Sequence, residues 1–188
     1  MESLPPKIVN ETAVISDCEK YRYWLMREIS PLSQYKPIVF IMLNPSTADH
    51  TKDDPTIRRC IDYAERFNGS HLIVVNLFAF RATQPSELWA KDTKDPVGSL
   101  NDNALSKAIE LAHGNNGVLV AAWGDDGGYM GRNVEVFTHI EGFNPKCLKL
   151  NKSGNPAHPL YQPKNAKLLE FKLFSQKTKP YPKINKST

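Results

Sequence analysis

The sequence predicts an α/β protein of three layers, α/β/α, with a central, mostly parallel four-stranded sheet. Two observations carry that expectation. Almost wholly apolar runs of strand length stand at residues 36–43, 71–80 and 117–124, and such runs suit parallel strands covered on both faces. Between them lie segments with apolar residues at helical spacing. Strands that alternate with helices build a parallel sheet.

The elements follow in order. "YRYWLMREI" (21–29) is rich in aromatics and partly alternates, which reads as a strand. "KPIVFIML" (36–43) is the first core strand. Asp54-Pro55 pairs a capping carboxylate with proline at the first helical position. Ile57, Cys60, Ile61, Ala64 and Phe67 then form an apolar stripe, with charged residues on the other face. Asn68-Gly69 ends that helix. "HLIVVNLFAF" (71–80) is the second core strand. An irregular excursion with a short helical turn near Ser86 follows. The spacing predicts a helix over Asn101 to His113, with Ala104, Leu105, Ala108, Ile109 and Ala112 facing inward. "GVLVAAWG" (117–124) is the third core strand, and Gly131 to Ile140 reads as a helix. "KCLKL" (146–150) is the fourth strand. "YQPKNAKLLEFKLF" supplies a last helix from about Asn165.

The 188 residues suit one domain, assigned to residues 1–174. Residues 175–188 read as a basic, frayed tail. No apolar run approaches the ~20 residues that span a bilayer. The first residues show no basic and apolar leader, so a cytoplasmic location without membrane contact is expected. The three cysteines, Cys18, Cys60 and Cys147, are far apart. They form no metal-binding spacing, so neither a zinc site nor an iron–sulfur cluster is suggested. No pattern requires a metal or other cofactor and none is expected, although the three aspartates Asp49, Asp53 and Asp54 within six residues leave Mg²⁺ open. The net charge of +4 permits an anionic partner without requiring one. A monomer is expected.

Small polar clusters follow the apolar strands: Asn44-Pro45-Ser46, then Asn76, Gly124-Asp125-Asp126 and "NKSGNPAHPLY". Ligands of open α/β sheets bind beyond the carboxyl ends of the strands. Asn76 sits inside an apolar run, where an unpartnered amide is costly. Gly154 permits close backbone approach, and two prolines stiffen the loop that carries His158.

Taken in order, Asn44-Pro45, Asn76, Trp123-Gly124 and His158-Pro159, with "LIVVNLFAFRA", resemble the uracil-DNA glycosylase superfamily over roughly residues 36–172. "IMLNPSTAD", "DDPTIRRC", "NLFAFRAT" and "GNPAHPLY" are similar to a family of bacterial and phage proteins known as domain of unknown function 1643. The resemblance implies a uracil-DNA-glycosylase-like fold and a monofunctional DNA glycosylase, which hydrolyses the N-glycosidic bond of a natural or modified base. Its partner would be DNA. His158 would donate to the leaving base, Asn44 would place water, and Asp49 is the nearest carboxylate for a base or a cation stabiliser. Pro45, Ser46, Asn76 and Phe78 would bind the base. Arg81, Lys152, Ser153 and Gly154 would contact phosphate. Two departures stand out. Leu160-Tyr161 occupy the place of a phosphate-gripping serine, and Ser46-Thr47-Ala48 stand where an aromatic stacks on the base. A larger or modified base fits that pattern better than uracil. The alternatives are a nucleotide- or base-modifying enzyme with the same pocket, and a non-catalytic nucleic-acid-binding module.

Overall fold

The structure is a computed structural model that describes residue 4 and residues 8–31, 34–90 and 92–173. The basic tail assigned to 175–188 lies outside the described residues. The elements are β1 (Ala13–Ile15), β2 (Arg22–Glu28), β3 (Pro37–Met42), α1 (Pro55–Arg66), β4 (His71–Asn76), α2 (Asn101–Gly114), β5 (Val118–Ala121), α3 (Arg132–Ile140), β6 (Lys146–Cys147) and β7 (Leu169–Glu170).

One sheet runs in the order β1-β2-β4-β3-β5-β6-β7. The four central strands β4-β3-β5-β6 are mutually parallel. β1 and β2 extend one edge antiparallel, and β7 closes the other edge antiparallel to β6. The expected sheet of four mostly parallel strands is thus the centre of a mixed, seven-stranded one.

β3 is buried along its whole length because it is paired on both edges and covered on both faces. Ile38, Phe40 and Met42 face Ile57, Cys60, Tyr63 and Ala64 of α1. Val39 and Ile41 face the apolar sides of α2 and α3. The helices therefore lie on opposite faces. The five inward residues expected on α2 are all buried. On α1, Tyr63 joins the buried stripe, while Ile61 and Phe67 are only partly covered.

The start of α1 follows its sequence signals. The Asp54 carboxylate accepts from the Ile57 N–H at 2.9 Å, and Pro55 occupies the first turn, where its missing N–H costs nothing. At the other end the left-handed residue is Asn68 (φ 54°). Gly69 is required for space instead, because a Cβ there would lie 2.4 Å from Cγ1 of Ile38.

The carboxyl-terminal reading needs correction. No helix begins near Asn165. Leu169–Glu170 pairs with a fourth core strand of only two residues. Leu169 and Glu170 are both exposed, and the next residue, Phe171, is buried. Its ring meets Trp123 and Phe137 edge-on.

From β3 the chain passes through α1 to β4 on one side. It then crosses through α2 to β5 on the other side of β3. Connections that leave in opposite directions open a crevice beyond the carboxyl ends of the strands. No helix among the described residues is long and apolar enough to cross a membrane.

Candidate functional site

That crevice holds a cleft of about 640 Å³. Asn44 follows β3, Asn76 ends β4, Trp123-Gly124 follows β5, and His158 comes from the loop after β6; all of them line it. Asn44 and His158 therefore share one edge of the sheet.

Backbone ties build the walls. The Asn44 amide donates to the Ala82 carbonyl at 2.8 Å, and the Ala82 N–H donates to the Pro45 carbonyl at 2.9 Å. The loops after β3 and β4 are thereby fastened together. Asn101, the first residue of α2, donates to the carbonyls of Asn76 and Leu77 at 3.0 Å. Arg132, the first residue of α3, also reaches the Leu77 carbonyl. Two helix starts thus hold the end of β4, which carries Asn76. Opposite, Asn151 and Ser153 both donate to one oxygen of Asp125, at 2.9 and 2.5 Å, and the Gly124 N–H donates to the Pro156 carbonyl.

His158 opens a short 3₁₀ turn, and its Nδ1 accepts from the Leu160 N–H at 3.4 Å. In the neutral ring the proton then sits on Nε2, which remains as a donor. Burial holds the imidazole below its ordinary pKa, and the Asp54 carboxylate opposes that shift. A neutral donor at pH 7 follows.

The structure brings in residues that the sequence reading passed over. Arg22, the first residue of β2, is 2% exposed and lines the cleft. Its Nη1 donates to the Ala48 carbonyl at 3.1 Å, its Nη2 lies 3.5 Å from Oδ1 of Asn76, and its Nε has no partner. Burial pulls its pKa down to about 10, with Asp54 opposing, so the guanidinium stays charged at neutral pH. The signal was present: an arginine inside an aromatic strand is a buried charge that needs a reason. Asp54 is both the cap of α1 and a wall of the cleft. Tyr161, 79% exposed, stands at the mouth with its ring 5.6 Å from that of His158.

Several expected site residues lie elsewhere. Asp49 does not line the cleft. Its carboxylate accepts from the N–H groups of Thr51 and Lys52 at 2.9 and 2.8 Å, which holds its pKa below the ordinary value and spends it on its own loop. Phe78 is fully buried against Tyr129 in the α2–α3 core. Pro45 is buried behind the wall, while Ser46 lines it. Arg81 donates to the carbonyls of Ser46 and Glu19 and lines a shallower recess with Lys20 and Glu87. Ser153 and Gly154 (φ 85°) shape the loop next to the cleft, and Lys152 is exposed on it. None of these three lines the cleft itself. Among the described residues no group of three His, Cys, Asp or Glu side chains is placed to hold a metal ion.

The model of the family described as "Protein of unknown function (DUF1643)" matches residues 22–160. The chain belongs to this family. The matched span starts at Arg22 and takes in His158, so it covers the whole set of strand-end residues in the cleft. No curated protein and no solved structure matches the chain.

Proposed function

We propose that the chain is an N-glycosidic bond hydrolase, a DNA glycosylase that receives a nucleobase in the strand-end cleft. One observation carries the reading: Asn44, Asn76, Gly124 and His158 converge on one cleft, and the buried amide nitrogen of Asn76 has no partner. An unpaired buried donor costs about 1–3 kcal/mol, so a site that keeps one is shaped for an acceptor that arrives with a ligand. A base carbonyl is such an acceptor.

The chemistry follows from the remaining groups. As the glycosidic bond breaks, negative charge grows on the departing base. The Nε2–H of neutral His158 donates to it, and the fixed positive charge of Arg22 lowers the energy of that anion. The bond electrons leave with the base, and a water adds to the sugar carbon as it turns cationic. Asp54 takes the role expected of Asp49: its carboxylate lines the cleft, accepts the proton of the water and faces the sugar cation. Tyr161 supplies the stacking face that Ser46-Thr47-Ala48 lack. The test is to incubate the protein with DNA that carries natural and phage-type modified bases and to identify released bases by mass spectrometry. Release that is lost in His158→Ala and Asn76→Ala supports the reading. No release from any substrate defeats it.

A second reading, an enzyme that acts on a free base or nucleoside, has its own observation. Asp54, Asp125 and Asp126 line the cleft, and among the described residues that line it Arg22 is the single Lys or Arg. That surface repels phosphates. Salt decides between the two: DNA binding through several phosphates weakens steeply with added salt, whereas free-nucleoside binding changes little.

A further inference from the structure

The floor of the cleft is unusual in the sign of its hydrogen-bonding groups. Asn76 carries an acceptor and two donors. Its acceptor, Oδ1, faces the Arg22 guanidinium at 3.5 Å. That contact is long, but the charge sets its direction, because the amide NH₂ turned toward a guanidinium would meet like polarity. What Asn76 has left is its Nδ2 donor, and the Nε–H of Arg22, whose Nη2 meets the Asn76 Oδ1, likewise has no partner. Both residues are 2% exposed, and both line the cleft.

We propose that Arg22 and Asn76 act together as a donor-only reading pair, and that the group they select presents two neighbouring acceptors with no N–H between them. The inference rests on the nucleobase reading of the cleft and narrows it. Cytosine-type rings, with O2 next to an unprotonated N3, have such an edge, and so does the O6/N7 edge of guanine-type rings. A uracil- or thymine-type ring places an N–H between its carbonyls, and that N–H would be aimed at a donor.

The test measures binding calorimetrically to short oligonucleotides that carry one test base among abasic-analogue positions. The bases are cytosine, guanine, 7-deazaguanine and uracil. Cytosine and guanine should bind at least tenfold tighter than uracil. Replacing N7 by C–H in 7-deazaguanine should cost guanine at least tenfold. Asn76→Asp keeps a partner for Arg22 and so guards the fold, but it replaces the donor by an acceptor; the preference should vanish or reverse. Arg22→Lys keeps the charge without Nε–H and should also lose the preference, with folding checked by melting. Equal or tighter binding of uracil, or an unchanged preference in both variants, overturns the pair while leaving the nucleobase reading in place. If no base-bearing oligonucleotide binds better than the fully abasic one, the nucleobase reading fails and the pair falls with it.

Discussion

Asp54 caps a helix and, in the proposed function, also accepts the proton of the water, and two substitutions separate these tasks. Its carboxylate caps α1 through the Ile57 N–H, and it lines the cleft near Arg22 and His158. Asparagine caps a helix about as well as aspartate, whereas alanine costs about 1 kcal/mol. In a chain of this size 1 kcal/mol moves the melting temperature by roughly 2–4 °C. Both substitutions remove the charge. Stability should therefore rank wild type, then Asp54→Asn, then Asp54→Ala, with roughly 2–4 °C between the two variants. Base release should rank differently: both variants fall together, by about 100-fold or more, the usual range for a lost general base. A third readout is local. The carboxylate raises the His158 pKa against the effect of burial, so either variant should move the His158 titration, followed by NMR, to still lower pH. Melting curves, base-release rates and the His158 titration on the same preparations decide the matter. If Asp54→Asn releases base at the wild-type rate and only Asp54→Ala is impaired, the carboxylate is a helix cap and nothing more.

Four further outcomes are expected. Asp49→Ala should leave base release within about twofold of wild type, because its carboxylate serves its own loop; a hundredfold loss would return it to the mechanism. Gly127→Ala should lower the melting temperature by several degrees, since a Cβ would lie 2.1 Å from Cδ1 of Trp123 and overpacking costs about 1–3 kcal/mol; an unchanged melt refutes the contact. Tyr161→Ala should leave melting unchanged but weaken binding roughly 5- to 150-fold, the worth of one stacked base at ~1–3 kcal/mol; wild-type affinity would remove Tyr161 from the site. Stability should also fall between pH 7 and 5.5. His71 and His158 are held below the ordinary histidine pKa, chiefly by burial. Below about pH 6.5 the unfolded chain therefore binds more protons than the folded one, and stability rises with pH through that window. A flat melting profile would contradict the shifts, and His158→Gln should flatten part of the slope.

The sequence by itself determined the elements whose signals are local. The unbroken apolar run of β3 announced a strand covered on both faces, and Asp54-Pro55 marked the first turn of α1. The spacing of Ala104, Leu105, Ala108, Ile109 and Ala112 identified the inner face of α2. Each is set by periodicity or capping within a dozen residues. The strand-end residues Asn44, Asn76, Gly124 and His158 were legible for the same reason, since each follows or ends such a run. What only the tertiary structure decided depended on partners far away in the chain. The segment around Leu169 pairs as β7 because β6 offers an open edge, a choice that its own leucines and lysines leave undetermined. Asp49 and Asp54 are five residues apart and chemically alike, yet loop N–H groups claim the first while α1 carries the second into the cleft. Phe78 was two residues from Asn76 but turned into the core against Tyr129. Arg22 is the sharpest case. Its place beside Asn76, across 54 positions of sequence, arises from the antiparallel pairing of β2 with β4. The pairing of these strands brings a buried charge to an amide whose Nδ2 has no partner among the described residues.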